Sequence, residues 1–209
     1  MRIDKILFFL AISLLLGNGL ATAADYHKGL AAYDSGDYKT AIAEWTPLAE
    51  QGNARAQNIL GLIYQNGKGV AANDKTAVNW YTLAAKQGDA YAQVNLGFMH
   101  QHGKGVSQNH KTAVNWYTLS AEQGNARAQN NLGFMYVTGS GVITDHLRAY
   151  MWWNLASYNG HEWWNLASDN GHEVAGENKD QLAIKMTPAD ITIAQDMSNR
   201  CFESGYTDC

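Results

Sequence analysis

The 209-residue sequence predicts an all-α protein, an α/α solenoid of stacked helix-turn-helix repeats. Three observations lead there. The segments Gly52 to Gln87, Gly88 to Gln123 and Gly124 to Asn159 align without a gap, which gives a period of 36 residues. A period of this size marks supersecondary units that must stack, because none buries its apolar face alone. Within each segment apolar residues recur at helical spacing, and a Gly-x-Gly triplet separates two such stretches.

The N-terminus reads as an address. Arg2 and Lys5 precede the apolar run "ILFFLAISLLL", and Ala21-Thr22-Ala23 offers small residues for cleavage, so residues 1–23 are expected to be a signal peptide. The run, Ile6 to Leu16, is shorter than the roughly 20 residues that span a bilayer, so no stable membrane anchor is expected after cleavage. The expected location is periplasmic or secreted. Without those residues the chain carries 13 basic and 18 acidic side chains, about -5, which disfavours nucleic acid or an anionic membrane as the main partner.

Each 36-residue unit is expected to hold two helices. In the first unit Ala56, Leu60, Ile63 and Tyr64 form one stripe, and Ala77, Trp80, Tyr81 and Ala84 form the second, closed by Gly88. Gly61, Gly97 and Gly133 fall at the same place in successive first helices. A mid-helix glycine costs about 1 kcal/mol relative to alanine, so a close helix approach is expected there.

Beyond the third unit the chain writes "WWNLASYNGHE" and then "WWNLASDNGHE". Trp152 and Trp153 share the register of Trp80-Tyr81 and Trp116-Tyr117, so they are expected in the core. Asn159-Gly160 favours a helix end, with a short extra helix to follow. Residues 163–173 are read as a tandem duplication tolerated because it adds about three whole turns. The functional alternative is a stacking platform of four tryptophans with His161 and His172. Thr187 can cap a last helix with Pro188 at its first position. Cys201 and Cys209 are expected to pair in an oxidising compartment and pin the tail.

The pattern Ala-x-Ala-Gln-x-x-Leu-Gly-x-x-Tyr/His-x-x-Gly-x-Gly-Val, followed by Ala-x-x-Trp-Tyr-x-x-Ala/Ser-Ala-x-Gln-Gly, resembles the Sel-one-like repeat, a relative of the tetratricopeptide repeat. Residues 25–51, with "GLAAYDSGDYKTAIAEWTPLAEQG" from Gly29, look like a tetratricopeptide-like opening hairpin. Residues 160–209 look like the duplicated insertion, a degenerate first helix and a capping helix. The resemblance implies a right-handed superhelix used for protein-protein interaction, common among exported bacterial proteins, and it does not imply catalysis. Some secreted relatives with a disulfide inside each repeat have been linked to β-lactam binding; here no repeat contains cysteine.

Other chemistries find little support. Gly67-Lys68-Gly69 and Gly103-Lys104-Gly105 lack the spacing and the following Ser or Thr of a phosphate loop, and read as turns. His100, His102 and His110 lie in one unit, but no His-Glu-x-x-His spacing accompanies them, so no metal is expected. No Ser-x-x-Lys or Gly-x-Ser-x-Gly occurs, so no catalytic residue and no cofactor are expected. A hydrolase or cell-wall-ligand reading, β-lactam included, would rest on the Trp and His cluster near the C-terminus.

A helical wheel centred on Leu60 turns Ala56, Gln57, Gly61, Ile63 and Tyr64 inward, and Arg55, Asn58, Leu62 and Gln65 outward. The outward set continues as Tyr91, Val94, Phe98 and Gln101, then Arg127, Asn130, Phe134 and Val137. First helices are expected to line a concave groove. There Arg55, Leu62, Tyr91, Phe98, Arg127 and Phe134 would grip another protein or peptide segment, or a second copy of the chain as a homodimer.

Overall fold

The computed structural model describes residues 24–159 and 171–209, which contain ten helices and no strand. They are α1 (Tyr26–Asp34), α2 (Tyr38–Glu50), α3 (Ala54–Asn66), α4 (Asp74–Lys86), α5 (Ala90–His102), α6 (His110–Ala121), α7 (Ala126–Thr138), α8 (His146–Asn159), α9 (Gly171–Ala183) and α10 (Pro188–Glu203). Successive helices pack as hairpins, and each second helix packs on the first helix of the next pair. The signal-peptide expectation for residues 1–23 and the second tryptophan pair lie outside the described residues.

The repeat spells its own helix boundaries. Asn53, Asp89 and Asn125 precede the first helices, and their side chains accept the amides of Ala56, Ala92 and Ala128 at 2.9, 2.7 and 3.0 Å. Asn73, Asn109 and Asp145 do the same for α4, α6 and α8. Each such cap contributes about 1 kcal/mol. At the other end Gly67, Gly103 and Gly139 close α3, α5 and α7 with φ of 66°, 65° and 69°, a left-handed conformation that glycine adopts without a Cβ penalty.

The second glycine of each turn has a different task. A Cβ on Gly69 would lie 2.6 Å from Cβ of Tyr38, and one on Gly105 or Gly141 would strike the backbone of Asp74 or His110. Tyr38, Asp74 and His110 are the first residues of α2, α4 and α6. The Gly-x-Gly turn of each unit therefore rests on the start of the second helix of the unit before.

Inside each hairpin an aromatic ring lies on the mid-helix glycine. A Cβ on Gly97 would sit 2.6 Å from the Tyr117 ring, and Gly61 and Gly133 stand in the same relation to Tyr81 and Trp153. Both tyrosines are fully buried, and each hydroxyl donates to a glutamine, Tyr81 to Gln65 and Tyr117 to Gln101, at 2.6 Å. Trp153 instead donates from Nε1 to the Asn130 carbonyl at 3.1 Å.

Between hairpins runs a polar ladder. Buried Gln57, Gln93 and Gln129 donate to the carbonyls of Ala49, Ala85 and Ala121, near the C-terminal ends of α2, α4 and α6. Their own Oε1 atoms accept from Gln87, Gln123 and Asn159 at 2.7, 2.8 and 2.9 Å. Every rung offsets the cost of burying an amide and adds about 1 kcal/mol net.

The wheel misplaced two residues. Val94 is fully buried in the cluster of Ala113, Val114, Tyr117 and Leu132, and Asn58 is buried as well. A wheel centred on one partner assumes one buried arc. Here Asn95 of α5 donates to Asn58 of α3 at 3.0 Å, and Arg127 of α7 donates to Asn95, so each first helix is also covered from its sides.

The C-terminal pair departs from the repeat. Both α9 and α10 pack on α8 and touch each other little. Ala175, Leu182 and Ala194 join Ala149, Tyr150 and Trp153 in one cluster. Thr187 caps α10, with Pro188 in its first turn. Cys201 and Cys209 form a disulfide with Cα atoms 4.8 Å apart, a short closed loop worth about 2 to 3 kcal/mol in the loop-entropy model. The loop presents the Tyr206 hydroxyl to Asn159 Oδ1 at 2.9 Å, adding a last rung to the ladder.

The two kinds of helical glycine predict opposite outcomes. Gly97→Ala should lower stability by about 1 to 3 kcal/mol, because its methyl meets the Tyr117 ring. Gly176→Ala in α9, where a Cβ meets nothing within 4 Å, should raise it by up to about 1 kcal/mol. Urea titrations of both variants measure the pair of signs.

Candidate functional site

The second, ninth and thirteenth residues of a helix share one side, since seven and eleven residues are close to two and three whole turns. In α3 these are Arg55, Leu62 and Asn66; in α5, Tyr91, Phe98 and His102; in α7, Arg127, Phe134 and Thr138. The repeat sets the three helices in series, so nine side chains form a surface of three columns. It includes all six of the expected groove residues.

Their environments differ. Tyr91 and Phe134 are exposed, at 37% and 49%, and Arg55 is exposed too. Leu62 and Phe98 are half-buried and pack partly on the cluster of Ala77, Tyr81 and Leu96. His102 stacks on Phe98 with ring centroids 4.3 Å apart, and Lys104 Nζ lies 5.3 Å from the same ring. Arg55 lies over the ring of Tyr26, 5.9 Å from its centroid, which extends the surface onto α1. Half-buried Arg127 is positioned by Asn95, itself bonded to Asn58.

The electrostatics follow from burial. Burial pushes the Asp89 carboxyl above its ordinary value, while the Ala92 amide it caps and the charge of Arg55 pull it back. The hydroxyl of Tyr26 is raised for the same reason and opposed by Arg55. Tyr81 and Tyr117 are held firmly neutral by burial, although Arg127 acts on both.

Sequence reading missed Tyr26, His102 and Lys104 as parts of this surface, and buried Asn95 as a support beneath it. The periodic signal at Asn95 was incomplete, because Asn131 repeats it in the third unit while Ile59 stands at that place in the first. His102 was findable, since it follows Phe98 by four residues on the same helix.

The other candidates separate. His102 faces out while His100 is half-buried, and no group of three His, Cys, Asp or Glu among the described residues could share a metal ion. Trp152 and Trp153 are each only 4% exposed, packed inside, and offer no stacking platform. His161, Trp163, Trp164 and the His172 side chain lie outside the described residues.

A cleft of about 410 Å³ opens at the start of α8, lined by Thr144, Asp145, His146, Leu147, Lys185, Met186 and Asp190. His146 is the periodic counterpart of Tyr38, Asp74 and His110, on which a glycine of the next turn rests. Residues 184–188 contain no glycine, so the turn there cannot close onto the helix and a gap remains.

Comparisons with known proteins agree with this architecture. The family model of the Sel1 repeat matches residues 54–89, 90–125, 126–161 and 160–172. A crystal structure of a protective antigen present in uropathogenic Escherichia coli strains, displaying an SLR fold, is 32% identical with a TM-score of 0.69, covering 80% of this chain and 34% of that one. The chain thus spans about a third of that antigen. A Sel1 repeat protein from Oxalobacter formigenes is 30% identical with a TM-score of 0.63, covering 87% of this chain and 78% of that one. No curated protein matches.

His100 yields a pH prediction. Its Nδ1 is buried without a partner among the described residues, and burial lowers its pKa. A depressed folded pKa means that the neutral ring's contribution is full above the unfolded value, about 6.5, and is lost as pH falls through the folded one. Tyr64 and Tyr136 stand at the same register. His100→Tyr should therefore lose less stability than the parent chain between pH 7 and pH 5, as read by thermal melts across that range.

Proposed function

We propose that this chain, which belongs to the Sel1 repeat family, is an exported scaffold that holds a segment of another protein on its first-helix face and catalyses nothing itself. Proteins built of Sel1 repeats are helical scaffolds, typically for protein interaction. The observation that carries the finer reading is the periodic surface itself. Tyr91 and Phe134 stay exposed on helices whose other apolar side chains are covered, and Arg55 and Arg127 flank them.

Such a face suits an extended segment. Aromatic side chains supply large contact area at small entropic cost, and an arginine offers forked donors to a carboxylate or a backbone carbonyl. Buried Asn58 and Asn95 hold Arg127 in place beforehand, which lowers the ordering cost of binding. Export is supported by the apolar N-terminal run with its small-residue cleavage pattern and by the disulfide, which suits an oxidising compartment.

Affinity capture from cell-envelope extract tests the reading. The parent chain should retain a partner stoichiometrically, and a Phe134→Asp, Tyr91→Ala variant of unchanged melting temperature should retain roughly tenfold less, as expected for two hot-spot aromatics. Equal capture by both proteins would remove the first-helix face from consideration. Sedimentation of the purified chain alone checks whether a second copy fills the face.

A further inference from the structure

We infer that the segment held on the first-helix face is acidic, a stretch of partner chain rich in Asp and Glu with an apolar side chain between them. This rests on the scaffold reading and adds the chemistry of the occupant. Formal net charge is -4, yet α3, α5 and α7 contain no Asp or Glu at all. What they carry on the shared side is Arg55, His102 and Arg127, with Lys104 in the adjoining turn.

Among the described residues the acidic side chains lie elsewhere, on α1, α2, α4, α9 and α10, in the inter-helix turns, and at Asp25 and Asp208 outside the first and last helices. Asp89, the acidic residue acting on Arg55, is committed to capping the Ala92 amide. Interactions at a surface are screened beyond about 8 Å at physiological salt. A short peptide on this face therefore feels the local cations rather than the net charge of the molecule.

The geometry agrees with the charge. Arg55 and Arg127 mark the two outer columns, with Tyr91 between them in the same row. In the next row Leu62, Phe98 and Phe134 make an apolar strip, and Lys104 overhangs its centre. Carboxylates reach the arginines and Lys104 while an aliphatic or aromatic side chain lies on Phe134. A nucleic-acid strand fits less well, since a long polyanion also meets the negative remainder of the molecule.

Selection of an unbiased random-peptide display library on the full chain tests this. Supporting peptides would be enriched in Asp and Glu, and would bind roughly tenfold more weakly to an Arg55→Glu, Lys104→Glu variant and in raised salt. An Arg55→Lys, Lys104→Arg variant, which keeps the charge, should retain most binding, and matched melting temperatures guard against a folding defect. Neutral or basic peptides lost on Phe134→Asp would overturn the acidic occupant and leave the scaffold reading standing. No peptide sensitive to Phe134→Asp would overturn both. Single-stranded DNA bound through Arg55 and Lys104 as tightly as the peptides would also overturn it.

Discussion

The contact between a mid-helix glycine and a buried ring sets the scale of this molecule. With no Cβ at Gly61, Gly97 or Gly133, the ring of Tyr81, Tyr117 or Trp153 lies directly against the backbone of the first helix. That distance fixes how the two helices of a hairpin meet. It also explains why glycine is kept where it costs helix stability: the covered aromatic surface outweighs a penalty of about 1 kcal/mol. The regular spacing of hairpins, and hence of everything displayed on them, depends on this closeness being repeated.

Much of the fold was legible because it is periodic. A gapless 36-residue repeat with caps, turns and apolar stripes at fixed places leaves few alternatives to stacked hairpins. The close approach at Gly97 and the turn role of Gly103 could be read from residue type alone. What could not be read was lateral packing. The burial of Asn58 and Val94 depends on neighbours a whole period away, and no pattern within a single helix reports it. The C-terminal pair was legible as helices but not in its arrangement. Without glycines in residues 184–188 the repeat contact on α8 fails, and α10 settles against α8 instead of α9.

The same division runs through the candidate surface on the first helices. Its six expected residues could be placed on one side because position along a helix determines direction. How each is held depends on other helices. Arg127 is steadied by an asparagine of the preceding unit, Arg55 lies over a tyrosine of the opening hairpin, and Lys104 reaches back over Phe98 from the turn. Each unit thus contributes both a side chain to the surface and a support for the side chain of a neighbour.

The ladder of Gln57, Gln93 and Gln129 also acts as a reading frame for insertions. Whole periods could be added or removed between rungs and every amide would still find its partner. An insertion of any other length before Asn159 would leave buried donors and acceptors facing apolar side chains. The eleven-residue duplication begins beyond Asn159, the residue that completes the last of the three glutamine rungs. Among the described residues beyond it, a further rung is made by Tyr206, on a tail closed by its own disulfide. A duplication that is not a multiple of the period survives where the frame has already been read through.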